Sequence, residues 1–157
     1  MLKEYAMSID NLWRSPEIVP IVAYVDVPRA AELLIRAYGF AERSDARLTW
    51  DGGCMTWMEV GDCIIRLASS GGHDVVSPNV LGGSSQALKV YVDDVDAHFT
   101  RAQGAGAIII SRLEDGFWGG RIYRTKDIEE HLWEFSQKGR DLAAKDWRLP
   151  PGLRRGR

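Results

Sequence analysis

The chain contains two copies of one segment, and this repeat constrains the fold more than any other feature. Tyr24-Val25-Asp26 recurs as Tyr91-Val92-Asp93, an offset of 67 positions. Near the end of each copy, the stretch 62–67 lies over the stretch 130–135 at an offset of 68. Two related segments within 157 residues predict two structural modules that pack together as one domain, 1–157.

Each copy has the pattern of a βαβββ module. In the first copy, the β-branched run Ile18–Val25 predicts a strand, and Pro28 begins a stretch with helical spacing that ends at Gly39. Three further strands are predicted at 41–50, 54–60 and 63–68. In the second copy, a strand at Gln86–Val92 precedes a helix that begins near Asp94. Three further strands are predicted at 107–112, 120–124 and 131–136.

These patterns divide the chain into modules at 17–70 and 86–137, a linker rich in Gly and Ser at 71–85, and a C-terminal extension at 138–157. A module of this kind leaves a sheet edge unpaired, and packing against a second module is the expected remedy. The sequence therefore predicts an α+β fold in which two tandem βαβββ modules form an incomplete, curved mixed-sheet barrel with the helices outside. The concave interior of such a barrel is a natural ligand cavity.

Composition excludes several classes of function. The net charge of −2 provides no basic surplus for binding nucleic acid. No apolar run approaches the ~20 residues that a membrane span needs. The first 17 residues lack the apolar stretch of a signal peptide. We expect a cytoplasmic protein, in which Cys54 and Cys63 stay reduced.

Two stretches of the second copy carry a family resemblance. They are YVDDVDAHFTRAQGAGA and EDGFWGGRIYRTKDIEEHLWEF. Together with the paired modules they resemble the vicinal oxygen chelate superfamily of glyoxalases, bleomycin-resistance proteins and extradiol dioxygenases, and within it the glyoxalase/bleomycin-resistance-like branch. The resemblance covers residues 18–137 and implies the fold but not the chemistry. It also implies a homodimer, because members often complete their clefts across a twofold interface.

The resemblance also implies where a metal would bind. Metal-using members take ligands from the first and last strand of each module, and these positions carry Val19, Arg66, Ala87 and Glu134 here. Only Glu134 can bind a cation, whereas a transition metal needs three or four converging N, O or S ligands. We therefore predict no metal and no other cofactor. A metal-dependent lyase or dioxygenase would require a different strand register.

Two of these positions suggest what replaces the metal. Arg66 and Glu134 are equivalent in the repeat, so we expect them to face each other near the barrel axis. They form an ion pair in place of the metal, bind a polar group of the ligand, or merely link the two sheets. The sequence leaves these alternatives open.

Strand alternation extends the predicted cavity. Ala87, Lys89 and Tyr91 should face the hollow, as should Tyr24, which matches Tyr91 in the repeat. A lysine beside a tyrosine favours a planar or anionic ligand, although Lys89 could instead reach solvent from an open rim.

Three tryptophans are candidates for the wall of this cavity. Trp50, Trp57 and Trp118 would stack on a planar ligand, or would pack sheets or a dimer interface. The glycines of the segment 117–120 favour a mobile lid there.

The function predicted from these residues is metal-free binding of a small molecule, an antibiotic or aromatic metabolite, as in bleomycin-resistance proteins. The alternative is a metal-independent isomerase, cyclase or lyase that uses Glu134 as general base. An adjacent Arg66 would favour the carboxylate form of Glu134 and so oppose its use as a base near neutral pH. This argument favours the binding protein.

Overall fold

The first module is a mixed sheet covered by one helix. The computed structural model describes residues 18–156, and the expectations for residues 1–17 lie outside them. The elements are β1 (Ile21–Tyr24), α1 (Val27–Leu33), a π-helical turn (Leu34–Tyr38), β2 (Ala41–Glu42), β3 (Leu48–Trp50), β4 (Gly53–Val60) and β5 (Cys63–Ser69). The strand order is β1-β5-β4-β2, with β3 also paired to β4, and β1 runs parallel to β5.

The second module repeats this arrangement after a linker that contains the short helix α2 (Pro78–Leu81). Its elements are β6 (Ala87–Val92), α3 (Val95–Gly104), β7 (Ile108–Asp115), β8 (Arg121–Lys126) and β9 (Leu132–Gln137). The strand order is β6-β9-β8-β7, with β6 parallel to β9. The predicted α+β fold of two βαβββ modules is confirmed. No helix among residues 18–156 is long and apolar enough to cross a membrane.

The helices show that the repeat is offset by 68 residues at its start. Both begin at an aspartate whose side chain accepts a backbone N–H, Asp26 in α1 and Asp94 in α3. Both are followed by a glycine with positive φ, Gly39 and Gly106, which are only 67 residues apart. The first helical segment is therefore one residue longer, and its π-helical turn accommodates the extra residue.

This offset corrects the sequence alignment of the first strands. Ile21 pairs with Arg66 as Lys89 pairs with Glu134, so Ala23 and not Tyr24 is the counterpart of Tyr91. A shift of one residue along a strand moves a side chain to the other face of the sheet. The prediction that Tyr24 lines the cavity is therefore wrong, because Tyr24 is fully buried on the helix-covered face.

The strand predicted at 41–50 is two short strands instead. Ala41 pairs with Glu59, whereas Leu48 pairs with Met55, so the two antiparallel registers differ by three residues. The extra residues form a 3-10 turn between β2 and β3. Arg47 closes this bulge with two 2.7 Å hydrogen bonds from its guanidinium to the carboxylate of Glu42.

The helix-covered faces of the two sheets share one core. The rings of Tyr38 and Phe135 lie 4.8 Å apart between centroids, and those of Phe40 and Trp133 lie 5.5 Å apart. The opposite face of each sheet, which we call its open face, is partly exposed. No strand pair joins the two sheets within residues 18–156, so the chain alone does not close a barrel.

A buried carboxylate organises the turn that precedes β9. Asp127 is only 1% exposed and accepts four hydrogen bonds. The donors are Tyr24 Oη at 2.5 Å, Trp133 Nε1 at 2.9 Å, and the backbone N–H groups of Glu129 at 3.0 Å and His131 at 3.1 Å. Burial, followed by the Asp127 charge, raises the pKa of Tyr24 well above its usual value, so its hydroxyl stays a donor.

A second buried carboxylate in this turn reaches the first module. Glu129 accepts the backbone N–H groups of Val25 at 2.7 Å and Asp26 at 2.9 Å, and the Ser77 hydroxyl at 2.6 Å. Because Val25 and Asp26 connect β1 to α1, this side chain fixes that corner against the second module. The turn thus sets how the two modules meet.

We expect Asp127→Ala to lower the free energy of unfolding by about 3 kcal/mol or more, because it leaves four buried donors without an acceptor. Urea denaturation followed by circular dichroism measures the loss. Glu32→Ala removes an exposed carboxylate from α1 and serves as the control, with a change within about 0.5 kcal/mol. Equal stability of the two variants would contradict the role of Asp127.

Candidate functional site

The open face of the second module is centred on Glu134. Its strand β9 lies between β6 and β8, and the register places Lys89 and Arg124 directly beside it. Lys89 Nζ lies 3.2 Å from Oε1 of Glu134, and Arg124 Nε donates to Oε2 at 2.8 Å. Both carboxylate oxygens are therefore engaged by cations.

Aromatic rings flank the lysine of this cluster. Lys89 Nζ lies 5.2 Å from the ring centroid of Tyr91 and 5.3 Å from that of Trp118, within range of cation–π attraction. Partial burial lowers the pKa of Lys89, but hydrogen bonding and the charge of Glu134 outweigh it, so this pKa lies above its usual value. The site therefore presents a permanent ammonium group between two rings.

The C-terminal extension holds the tryptophan of this site in place. The backbone N–H of Leu142 donates to the Trp118 carbonyl at 2.7 Å, and that of Arg148 donates to the Phe117 carbonyl at 3.1 Å. The Tyr91 hydroxyl donates to Asp141 at 2.5 Å, and this bond, followed by partial burial, raises the pKa of Tyr91. The segment predicted as a lid is thus tied to the extension at both aromatic residues.

Two glycines make room for the same ring. A Cβ atom on Gly116 would lie 2.5 Å from the Trp118 ring, and one on Gly120 would lie 2.2 Å from its Nε1. Gly120 is also close to Asp141, whose Oδ1 would be 2.6 Å from the added Cβ. The position of the indole therefore depends on side chains being absent at these two residues.

The open face of the first module is mostly apolar. Arg66 lies in the middle of it, with Trp57 opposite on β4 and Ile21 opposite on β1. The Nε atom of Arg66 is buried and has no hydrogen-bond partner. Trp50 is 53% exposed and covers Gly53, whose added Cβ would lie 2.1 Å from the ring.

The structure does not bring all the predicted site residues together. Lys89, Tyr91, Trp118 and Glu134 form one cluster, whereas Arg66, Trp57 and Trp50 lie on the open face of the other sheet. Arg66 and Glu134 form no ion pair within the chain. Glu134 bonds to Lys89 and Arg124 instead, because these lie next to it in the ladder.

The prediction from sequence missed Arg124 and Asp141. Arg124 was placed at the end of a strand, but β8 continues to Lys126, and alternation along the longer strand puts Arg124 on the open face. Asp141 lies in the extension, where Leu142 and Trp147 are apolar residues in a polar segment. These two apolar residues are the feature of the sequence from which packing of the extension against the domain could have been predicted.

The residues present do not fit the metal that the resemblance implies. Val19, Arg66 and Ala87 provide no ligand atom on their side chains, and Glu134 is occupied by two cations. Among the side chains that the structure describes, no three His, Cys, Asp or Glu converge in a group that could hold a metal ion.

A separate cleft of about 360 Å³ lies between β1 and the linker. Its lining includes Ile21, Ala23, Leu81 and His131. It contains none of the charged cluster around Glu134, and its His131 side chain is already bonded to the Ala23 carbonyl at 2.6 Å. This cleft is therefore distinct from the charged cluster around Glu134, although it shares Ile21 with the open face of the first module.

We expect Gly120→Ala to displace the Trp118 ring and lower the free energy of unfolding by about 1–3 kcal/mol, because the new methyl group overlaps the indole. Gly104→Ala is the matched control, since an added Cβ there meets nothing within 4 Å. Urea denaturation and near-ultraviolet circular dichroism measure stability and aromatic packing. Equal behaviour of the two variants would contradict the glycine requirement.

Sequence comparison extends these observations to known proteins. The Glyoxalase/Bleomycin resistance protein/Dioxygenase superfamily model matches residues 22–135. The uncharacterized protein Mb0911c of Mycobacterium bovis is 38% identical over 71 residues, which are 45% of this chain and 47% of that protein. The matched region thus spans about half the length of the curated relatives.

Solved structures show the same fold. TioX from Micromonospora sp. ML1 superposes with a TM-score of 0.63 and 34% identity, over 78% of this chain and 98% of TioX. The fosfomycin resistance protein FosX from Mesorhizobium loti superposes with a TM-score of 0.56 and 15% identity, over 78% of this chain and 90% of FosX. With its two βαβββ modules and a family match over most of its length, the chain belongs to the Glyoxalase/Bleomycin resistance protein/Dioxygenase superfamily.

Proposed function

We propose that this chain is a cytoplasmic protein that binds a small planar organic molecule, an antibiotic or aromatic metabolite, without a metal. The observation that carries the proposal is the environment of Glu134. Where the family would supply a metal ligand, this carboxylate is held between Lys89 and Arg124, with Tyr91 and Trp118 beside the lysine. Such a site offers charge and aromatic surface to a ligand.

The same geometry disfavours the enzyme alternative. A general base needs an oxygen free to accept a proton from the substrate. Lys89 and Arg124 each engage one oxygen of Glu134, and Arg124 also contacts Glu114 at 3.3 Å. Proton transfer to Glu134 would therefore break an ion pair in the free protein.

The likeness to FosX concerns the fold and does not identify the ligand. That protein is described as a fosfomycin resistance protein, and it shares the two-module fold. Because FosX is only 15% identical to this chain, the similarity shows a shared fold and nothing about the ligand. The ligand class proposed here therefore depends on the aromatic and charged side chains of the open faces.

We further propose a homodimer in which the open faces of two chains meet. Within one chain both modules turn their helix-covered faces toward the same core, so their open faces point away from it. Large apolar side chains remain exposed on them, including Leu48 at 54%, Trp50 at 53% and Ile108 at 56%. A twofold arrangement would cover these side chains and enclose a ligand between module one of one chain and module two of the other.

We expect planar aromatic compounds to quench the tryptophan fluorescence of the protein, with the same affinity before and after treatment with EDTA. Lys89→Ala should weaken binding about five- to tenfold, because the ammonium and its cation–π contacts are lost. Lys138→Ala, which removes an exposed lysine paired with Asp93, is the control. Binding that disappears with EDTA and returns with Zn²⁺ would contradict the metal-free proposal.

Ile108→Glu should shift the protein from dimer to monomer, because it buries a charge in the proposed interface. Sedimentation equilibrium of the wild type and the variant at micromolar concentration measures this shift. Val80→Glu is the control, since Val80 is 61% exposed on α2 and lies outside the open faces. A monomeric wild type, or a dimer that tolerates Ile108→Glu, would contradict this interface.

A further inference from the structure

We propose that Arg66 binds the carboxylate of an aromatic acid, with the ring of that acid against Trp57. This inference rests on the proposed function and names the chemical class of its ligand. It concerns the open face of the first module, whereas the charged cluster around Glu134 lies on the second.

The charge of Arg66 is isolated on its face of the sheet. Alternation along β4 and β5 places Glu59 as the one acidic side chain of these two strands on the open face. Glu59 is already bonded to Arg43, whose Nε donates to Oε1 at 2.7 Å. No carboxylate among residues 18–156 forms an ion pair with Arg66, and its strand neighbours are Trp57 and Ile21.

The buried Nε of Arg66 has an unmet requirement for an acceptor. This atom is covered by protein and donates no hydrogen bond. Burying a charged donor without an acceptor destabilises a fold, so such a group calls for an explanation, and an acceptor supplied by a ligand is one. Three other arginines, Arg43, Arg121 and Arg124, each donate to a carboxylate through Nε.

The surroundings of Arg66 favour a ligand that carries a carboxylate on an aromatic ring. A guanidinium group presents paired N–H donors that match a carboxylate in a two-bond arrangement. One arginine balances one negative charge, which suits a monoanion better than a phosphate dianion. Trp57 lies beside it, and the exposed Trp50 extends the aromatic surface, so the body of the ligand is best planar and apolar.

A second copy of the chain could offer a competing acceptor. In the proposed dimer the open face that carries Glu134 would meet the one that carries Arg66. However, the two oxygens of Glu134 are held by Lys89 at 3.2 Å and Arg124 at 2.8 Å. Pairing with Arg66 would have to displace one of these cations, so the ligand is the better source of the acceptor.

The test compares 2-naphthoate with 2-naphthamide, which has nearly the same shape but no charge. Titration calorimetry of the full-length protein should give at least tenfold tighter binding of the acid. Arg66→Met should abolish this preference and leave the affinity for the amide unchanged. Arg29→Met removes the same charge from the exposed surface of α1 and should keep the preference.

Stability separates a binding role from a structural one. Since Nε of Arg66 has no partner in the free protein, Arg66→Met should unfold at the same or a higher urea concentration than the wild type. A clear decrease in the unfolding midpoint would mean that Arg66 is structural and would overturn the inference.

The remaining outcomes distinguish this inference from the proposed function. Equal binding of the acid and the amide by the wild type would overturn the role of Arg66 and leave the binding function standing. If the protein bound neither of these two compounds nor any of the planar aromatic compounds used in the fluorescence titration, both the inference and the proposed function would be contradicted. A last outcome concerns the dimer. If Arg66→Met and Glu134→Gln each raised the dissociation constant of the dimer tenfold, and the double variant raised it by no more than either single variant, Arg66 would pair with Glu134 of a second copy. The inference would then fail.

Discussion

The arrangement of this molecule depends on the buried carboxylates in the turn before β9. Asp127 gathers donors from both modules, among them the Tyr24 hydroxyl and the Trp133 indole. Glu129 fixes the corner between β1 and α1 through the backbone of Val25 and Asp26. A buried charge is tolerated only where hydrogen bonds replace its hydration, so these carboxylates specify one relative placement of the modules. That placement directs both helix-covered faces into one core and leaves both open faces outside it.

The repeat produces equivalent positions whose chemistry has diverged. Arg66 and Glu134 occupy the same place in their modules, yet among residues 18–156 the Glu134 carboxylate has two cationic partners and the Arg66 guanidinium has no acidic one. If a second chain brings the two faces together, one side of the resulting cleft contains Glu134 paired with Lys89 and Arg124. The other side contains Arg66, whose positive charge has no such partner among residues 18–156. A ligand with a single negative charge and a planar body complements such a cleft. The second face would then contribute Lys89 and Trp118 to the opposite side of the ligand.

Sequence reasoning predicted the order of strands and helices because alternation, caps and glycine turns are local signals. It misplaced Tyr24 because identical residues 67 apart suggested an alignment that the extra residue in the first helix invalidates. Nothing in the residue types of α1 shows where a π-helical turn will absorb an insertion, and one position decides which face a strand residue occupies. The partners of Glu134 were likewise beyond prediction, since Lys89 depends on the register of β6 against β9 and Arg124 on that of β8 against β9. Lys89, Tyr91 and Trp118 could be named together as candidates because strand alternation and aromatic composition both bear on them, and the structure places the three side chains next to one another.

The extension after β9 packs against the aromatic side of the candidate site. The family match ends at residue 135, whereas Asp141, Leu142 and Arg148 lie beyond it and hold the site through Tyr91, Trp118 and Phe117. Gly116 and Gly120 also help to position the Trp118 ring, because a Cβ atom at either residue would overlap the indole. A change in the extension would thus move an aromatic wall of the site without altering the sheets or their core. If the candidate site binds a ligand as proposed, changes in this segment would alter ligand preference while the framework built on Asp127 and Glu129 stays the same.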